Sequence, residues 1–178
     1  MKAASILRNQ KGLDNIDLGM GNEMAINQLI AHHSVIFLPE KQIMYVSTSP
    51  WQCGKYVAYD LNRIFSDSID FNHEIYTENL TVPADSFLQQ QEYQQLMTYK
   101  RLAPVLRKQI KKKERLDEQT LHAFQHANPH FFYVYELLGD YYHATGQQDK
   151  ALRNWKKALL LPIPKRSESE RIEHKINN

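Results

Sequence analysis

The sequence predicts an α+β fold in which a small antiparallel sheet precedes an α-helical part. Three observations carry that prediction. Short runs rich in Val, Ile, Phe and Tyr occupy the chain before Pro83. After it, apolar residues recur at three- and four-residue steps. The change in pattern near Pro83 places one region at residues 1–82 and a helical one at residues 83–163. Residues 164–178, alternating charged and polar, read as a flexible tail that frays.

The first region begins with a break at Gly19-Met20-Gly21. Asn22 then reads as the N-cap of a short helix, with Glu23 in its first turn. Ala25, Ile26, Leu29 and Ile30 fall at helical spacing and would lie against the sheet. Residues 32–38 and 42–48 read as two strands joined through Pro39-Glu40-Lys41 as a hairpin. Tyr56-Val57-Ala58-Tyr59, after a Ser49-Pro50-Trp51 turn and Gly54, supplies the third strand of a meander. Residues 61–80 are poorly patterned and read as a long connection.

Beyond Pro83 the helices follow. Asp85 is a capping position, and Leu96, Tyr99, Leu102, Ala103, Leu106 and Ile110 form one apolar stripe across residues 85–115. Pro104 interrupts that stripe and predicts a kink or split, because it removes a backbone donor. Asp117 starts a helix over 117–127. Asn128 reads as the cap of the next one, with Pro129 in its first position. Gly146 ends that helix, and residues 148–161 form another.

Composition narrows the function classes. With 42% hydrophobic and 24% charged residues in 178, the chain can bury a real core. A formal charge of +2 gives no reason to expect a nucleic acid or an anionic membrane as partner. Cys53, the single cysteine, excludes an intrachain disulfide and a Cys-based zinc cage. No apolar run approaches a membrane span, and the start, MKAASILRNQKG, lacks the apolar core of a signal peptide. The expectation is a soluble chain of open compartment: either it stays in the cytosol or a further N-terminal part precedes Met1.

Several constellations invite a catalytic or binding reading. His32 and Ser34 share a strand face, with Asp60 able to approach from the third strand, whereas His33 and Ser34 point to opposite faces. His122, His126 and His130 stand at four-residue steps, suited to two imidazoles on one metal ion, but Ala123 and Phe124 stand where a zinc protease needs its glutamate. Residues 107–115 (RKQIKKKER) form a basic run narrower than a nucleic-acid footprint. Gly19-x-Gly21 lacks the third glycine and the preceding strand of a phosphate cradle. Each is better explained by ordinary structure, so the sequence assigns no catalytic, cofactor-binding or metal-ligating residue, and no cofactor.

Tyr135, Leu138-Gly139, Tyr142, Gly146, Ala151, Trp155 and Ala158, followed by Pro162, resemble one tetratricopeptide repeat over residues 132–162. The spacing has a physical sense. Gly139 and Ala151 let two antiparallel helices approach, Leu138, Tyr142 and Trp155 fill their seam, and Gly146 turns the chain. One unit cannot bury its own apolar face, so it requires neighbours. A ligand groove, a hydrophobic end-cap and an oligomer contact all remain open.

A second resemblance covers residues 1–65. It rests on Ile6-Leu7-Arg8, Leu18-Gly19-Met20-Gly21-Asn22-Glu23, Ala25-Ile26-Asn27, Ala31-His32-His33-Ser34-Val35-Ile36-Phe37, Val46-Ser47-Thr48-Ser49-Pro50 and Gly54-Lys55-Tyr56-Val57-Ala58-Tyr59-Asp60-Leu61. Together these resemble the C-terminal part of N-terminal-nucleophile hydrolases of the penicillin acyltransferase type. The resemblance implies a four-layer αββα sandwich, self-cleavage of a precursor, and attack by a freed N-terminal cysteine on amide or acyl substrates. That cysteine lies upstream of the matched segment in the family, and no residue here corresponds to it. Cleavage before Cys53 would leave too little sheet for the sandwich. The expectation is an inactive C-terminal region whose partner is the N-terminal part of the same enzyme, or a further copy of the chain. The competing expectation is a non-catalytic module that uses its helical pair to hold another protein.

Overall fold

A computed structural model describes residues 1–66, 72 and 74–177. The chain divides into two compact units, Met1–Asn9 with Ile26–Leu88, and Gln10–Ala25 with Gln89–Asn178. The mixed α and β character is as predicted, but residues 10–25 group with the helical part. The boundary near Pro83 therefore describes only one of the crossings between units.

In the first unit, α1 (Lys2–Leu7) is followed by β1 (Val35–Leu38), β2 (Ile43–Ser47) and β3 (Tyr56–Asp60). The sheet is antiparallel in the order β1-β2-β3, with Val35 opposite Val46 and Val46 opposite Val57. Pro39–Lys41 makes the expected hairpin turn, closed by Gln42 at φ 50°. Alternation then assigns the faces. Ile36, Tyr45, Tyr56 and Ala58 point to one side and bury against Ala4 of α1. Beyond β3, α2 (Leu61–Ile64) is capped by the Asp60 carboxylate, which accepts from Asn62 N and Arg63 N. The connection expected over 61–80 also contributes Thr77, whose amide donates to Ala58 O at 2.8 Å. Its residues 67–71 and 73 lie outside the described residues.

The helix expected after Asn22 does not form. The Asn22 side chain accepts from Met24 N and donates to Leu18 O, both at 3.0 Å, and Asn27 Oδ1 accepts from Leu29 N at 3.0 Å. These local bonds compete with the helical ladder. Leu29 takes φ 54°, and Ile26 and Ile30 stay exposed.

In the second unit, α3 (Gln91–Lys112) packs on α4 (Glu118–Ala127) and on α5 (Phe132–Ala144). Beside these, α5 lies along α6 (Gln148–Leu159), which packs on α7 (Arg166–Asn177). Leu102, Leu106, Phe124, Leu138, Trp155 and Ile172 share one core. Asp85 caps a short 3-10 turn over Ser86–Gln89, donated to by Phe87 N, and α3 begins later. Pro104 does not split α3, because Leu102, Ala103 and Leu106 bury on its core side while Pro104 is exposed. Asp117 does cap α4, accepting from Thr120 N at 2.7 Å.

Asn128 ends α4 rather than capping α5. Its side chain is committed elsewhere, accepting from Met20 N at 2.9 Å and donating to Met20 O at 2.7 Å. The expected fraying tail is instead α7, held by the burial of Ile172 and by ion pairs to α5.

Candidate functional site

The eight repeat-signature residues all fall in the α5–α6 seam or its turn. A Cβ at Gly139 would lie 2.3 Å from Trp155 Cδ1, so only hydrogen fits there. Trp155 Nε1 donates to Asp140 Oδ1 at 3.0 Å, which satisfies the one polar atom of that ring. Ala151 and Ala158 are fully buried on α6, and Leu138 is buried on α5. The Tyr135 hydroxyl donates to Pro129 O at 3.0 Å, and Lys157 Nζ stands 4.3 Å from the Tyr135 ring centre. Lys150 stands similarly over Tyr142, at 5.1 Å. Gly146 adopts φ 77° with open space around it, and serves as the left-handed residue between the helices. These residues make a packed seam. They leave no catalytic group facing a cleft.

Sequence reasoning missed the most polar feature of this unit. Glu136 is 2% exposed on α5, and Arg171 grips both its oxygens at 2.8 Å. Lys175 donates to Glu136 at 2.7 Å and to both oxygens of Asp140 at 2.8 Å. Burial works against the Glu136 charge, but hydrogen bonds from Arg171 and Lys175 outweigh it and hold the carboxyl below its ordinary range. The signal was present as matched i,i+4 pairs, Glu136/Asp140 and Arg171/Lys175, but the second pair lies in the stretch read as a tail.

The weighed catalytic groups are not assembled. Ser34 hydrogen-bonds the Tyr56 hydroxyl, and its amide donates to Ser47 Oγ at 2.6 Å. Ser47 pairs with Tyr56 at one end of the β2–β3 ladder, whereas Asp60 pairs with Ile43 at the other, about 13 Å away at strand rise. Cys53 is buried, and its sulfur accepts from Asn27 Nδ2 at 3.4 Å. Burial pushes its thiol up, away from the thiolate a nucleophile needs. The adjoining loop is clamped by Arg8, which donates to Gln52 O at 3.2 Å, Gly54 O at 2.7 Å and Pro83 O at 2.9 Å.

His122 and His126 are exposed with ring centres 4.0 Å apart, and His130 follows the end of α4. Among the described residues no three His, Cys, Asp or Glu side chains are grouped to hold a metal. The basic run closes α3, where Lys111 and Lys112 meet the negative end of the helix dipole. Gly19 is a packing glycine: a Cβ there would lie 2.4 Å from Phe131 N. No helix of the described residues is long and apolar enough to cross a membrane.

What the sheet does with its second face is more telling. Val35, Phe37, Met44, Val46, Val57 and Tyr59 alternate onto the side away from Ala4. Phe37 is 60% exposed and Val35 40%. No family model, curated protein or solved structure matches this chain. The candidate site is therefore defined by geometry alone. A sheet with one solvated face alternates apolar and polar residues, whereas this one is apolar on both, the pattern of a sheet covered on both sides. Its edges differ too. Tyr56 and Val82 exchange two 3.0 Å backbone bonds that seal the outer edge of β3. No strand of the described residues pairs with the outer edge of β1.

Proposed function

We propose that this chain is the non-nucleophile C-terminal region of an N-terminal-nucleophile amidohydrolase or acyltransferase relative, inactive until an N-terminal part completes it. One observation supports this above the others. The sheet carries a helix on one face and six apolar residues on the other, which is the half-layer that an αββα sandwich would complete. The buried, neutral Cys53 and the separation of Ser34 from Asp60 fit a region that supplies scaffold and leaves the nucleophile to its partner. The test is to express the chain alone and together with the polypeptide encoded upstream of Met1. Amide hydrolysis should appear only in the pair, and Phe37→Asp should abolish it by blocking the layer contact. Turnover by the isolated chain that vanishes in Cys53→Ala would overturn the proposal, as would an upstream frame lacking a cysteine that becomes N-terminal on cleavage.

A second reading is a protein-interaction module. It is favoured by the stacking of α3–α4 on α5–α6, which gives the tetratricopeptide-like pair the neighbour it needs. A shallow groove lined by Gln91, Gln94, Gln95 and His126 runs between α3 and α4. Under this reading a partner binds the chain with unchanged affinity when Phe37 is replaced by Asp.

A further inference from the structure

The near-neutral charge of the chain hides an uneven distribution. Residues 100–115 hold eight of its 22 lysines and arginines and only one of its 20 acids. On α3 these cations stand in two lines of equal spacing, Lys100, Arg107 and Lys111 beside Arg101, Lys108 and Lys112. At about 3.6 residues per turn, steps of seven and four keep each line on one side of the helix. Lys100 is half-buried and the other five are exposed. Pro104 and Val105 fill the gap in the two lines and are also exposed. The surface is an apolar centre with cations before and after it.

Ordinary helix chemistry explains only the end of this pattern. The helix dipole favours cations in the last turn, which covers Lys111 and Lys112 but not Lys100, Arg101 or Arg107. A solvated helix intersperses its signs, so that partners four residues apart attract. Here Arg107 and Lys111 repel at that spacing, as do Lys108 and Lys112. Among the described residues no carboxylate forms an ion pair with Arg101, Arg107, Lys108 or Lys111. Glu114 reaches only Lys112, in an exposed pair at 3.5 Å. Arg107 is steadied from α5 instead. Its Nε donates to the Tyr133 hydroxyl at 3.4 Å, and its guanidinium carbon lies 5.6 Å from that ring's centre. Both its Nη groups are left for a carboxylate, which they fit as a fork.

We propose that this face of α3 docks an acidic segment of a partner polypeptide, one with carboxylates on either side of an apolar residue. The inference deepens the interaction-module reading above and rests on it. Charge complementarity selects the partner: carboxylates there turn the repulsion within each line into attraction. The face runs about 16 Å from Lys100 to Lys111 at helical rise, the length of about three turns of a docked helix. Tight nucleic-acid binding draws on a wider set of about six to ten phosphates. The apolar centre at Pro104 and Val105 likewise suits an aliphatic side chain rather than a phosphate backbone.

Fluorescence anisotropy tests the idea with a labelled, alanine-rich helical peptide. Glutamates stand three and four residues before and after its central leucine, so either orientation fits. It should bind the native chain with a dissociation constant below about 1 mM at about 0.15 M salt. Arg107→Glu with Lys111→Glu should weaken binding at least about tenfold. Should circular dichroism show that pair unfolded, Arg107→Gln with Lys111→Gln is read instead, for a loss of at least about threefold. Lys41→Glu with Lys156→Glu, an equal charge change at exposed positions elsewhere, should weaken binding less than about twofold. No binding at millimolar peptide overturns the proposal, as do equal losses from the α3 pair and the distant pair. Tighter binding of a thymidine oligonucleotide of the same charge overturns it too. Binding that survives the α3 changes but is lost in Phe37→Asp overturns the interaction-module reading as well. Failure without that dependence on Phe37 overturns this inference alone.

Discussion

At position 139 the side chain is a single hydrogen, and the indole of Trp155 occupies the volume that a methyl would need. Elsewhere in a helix, Gly to Ala is a gain of about 1 kcal/mol through backbone entropy. Here the gain is outweighed by overpacking against a large ring, which typically costs about 1–3 kcal/mol and more where the ring cannot move. Trp155 is held by its bond to Asp140 and by burial. Gly139→Ala should therefore lower stability by roughly 2 kcal/mol in urea unfolding. Equal or higher stability would show that the seam is looser than the packing implies. Gly146→Ala, with open space but φ 77°, should cost only about 1 kcal/mol. These roles were legible because close approach and a left-handed turn each demand glycine. Arg8 and Glu136 were not, because their partners lie 44 to 75 and 35 to 39 residues away in sequence.

At the scale of elements, the strands, the hairpin and the helices α3 to α6 were legible because each is written in local periodicity. The errors all came from side chains whose partners are distant or whose local bonds compete with the backbone. Asn22 and Asn27 look like helix-compatible residues in a good apolar pattern, yet both fold back on nearby amides and leave the segment irregular. Asn128 looks like a cap but is claimed by Met20, 108 residues away. The helix α7 was invisible because only Ile172 and Ile176 mark its buried face.

Pro104 is the reverse case, a correct local rule overridden by packing. Its missing amide and ring still act against α3, and the helix survives because Leu102, Ala103 and Leu106 are buried around it. Pro104→Ala should restore the absent hydrogen bond and raise stability by roughly 1–3 kcal/mol, read as a higher denaturation midpoint at unchanged slope. A decrease would mean that α3 is shaped by the proline rather than despite it.

For the whole molecule, acid should act through the contact that holds α7. In that contact Glu136 is the carboxyl that, despite burial, the hydrogen bonds from Arg171 and Lys175 hold below its ordinary 4.5. A group with a depressed folded value binds fewer protons when folded than when unfolded. Its contribution is complete above the ordinary value and is lost as the pH falls from there through the folded one. Stability should be flat near neutrality and decline below about pH 4.5. Asp17, also depressed by its bonds to Gly19 and Lys11, adds to the same slope despite partial burial, so the decline alone does not identify Glu136. The variant Glu136→Gln does. It removes charge-assisted bonds worth about 2 kcal/mol at neutral pH while keeping the shape of the side chain. Thermal unfolding of the variant should begin lower and vary less with acid than that of the native chain. An unchanged acid slope would place the titration elsewhere than in the contact between Glu136 and α7.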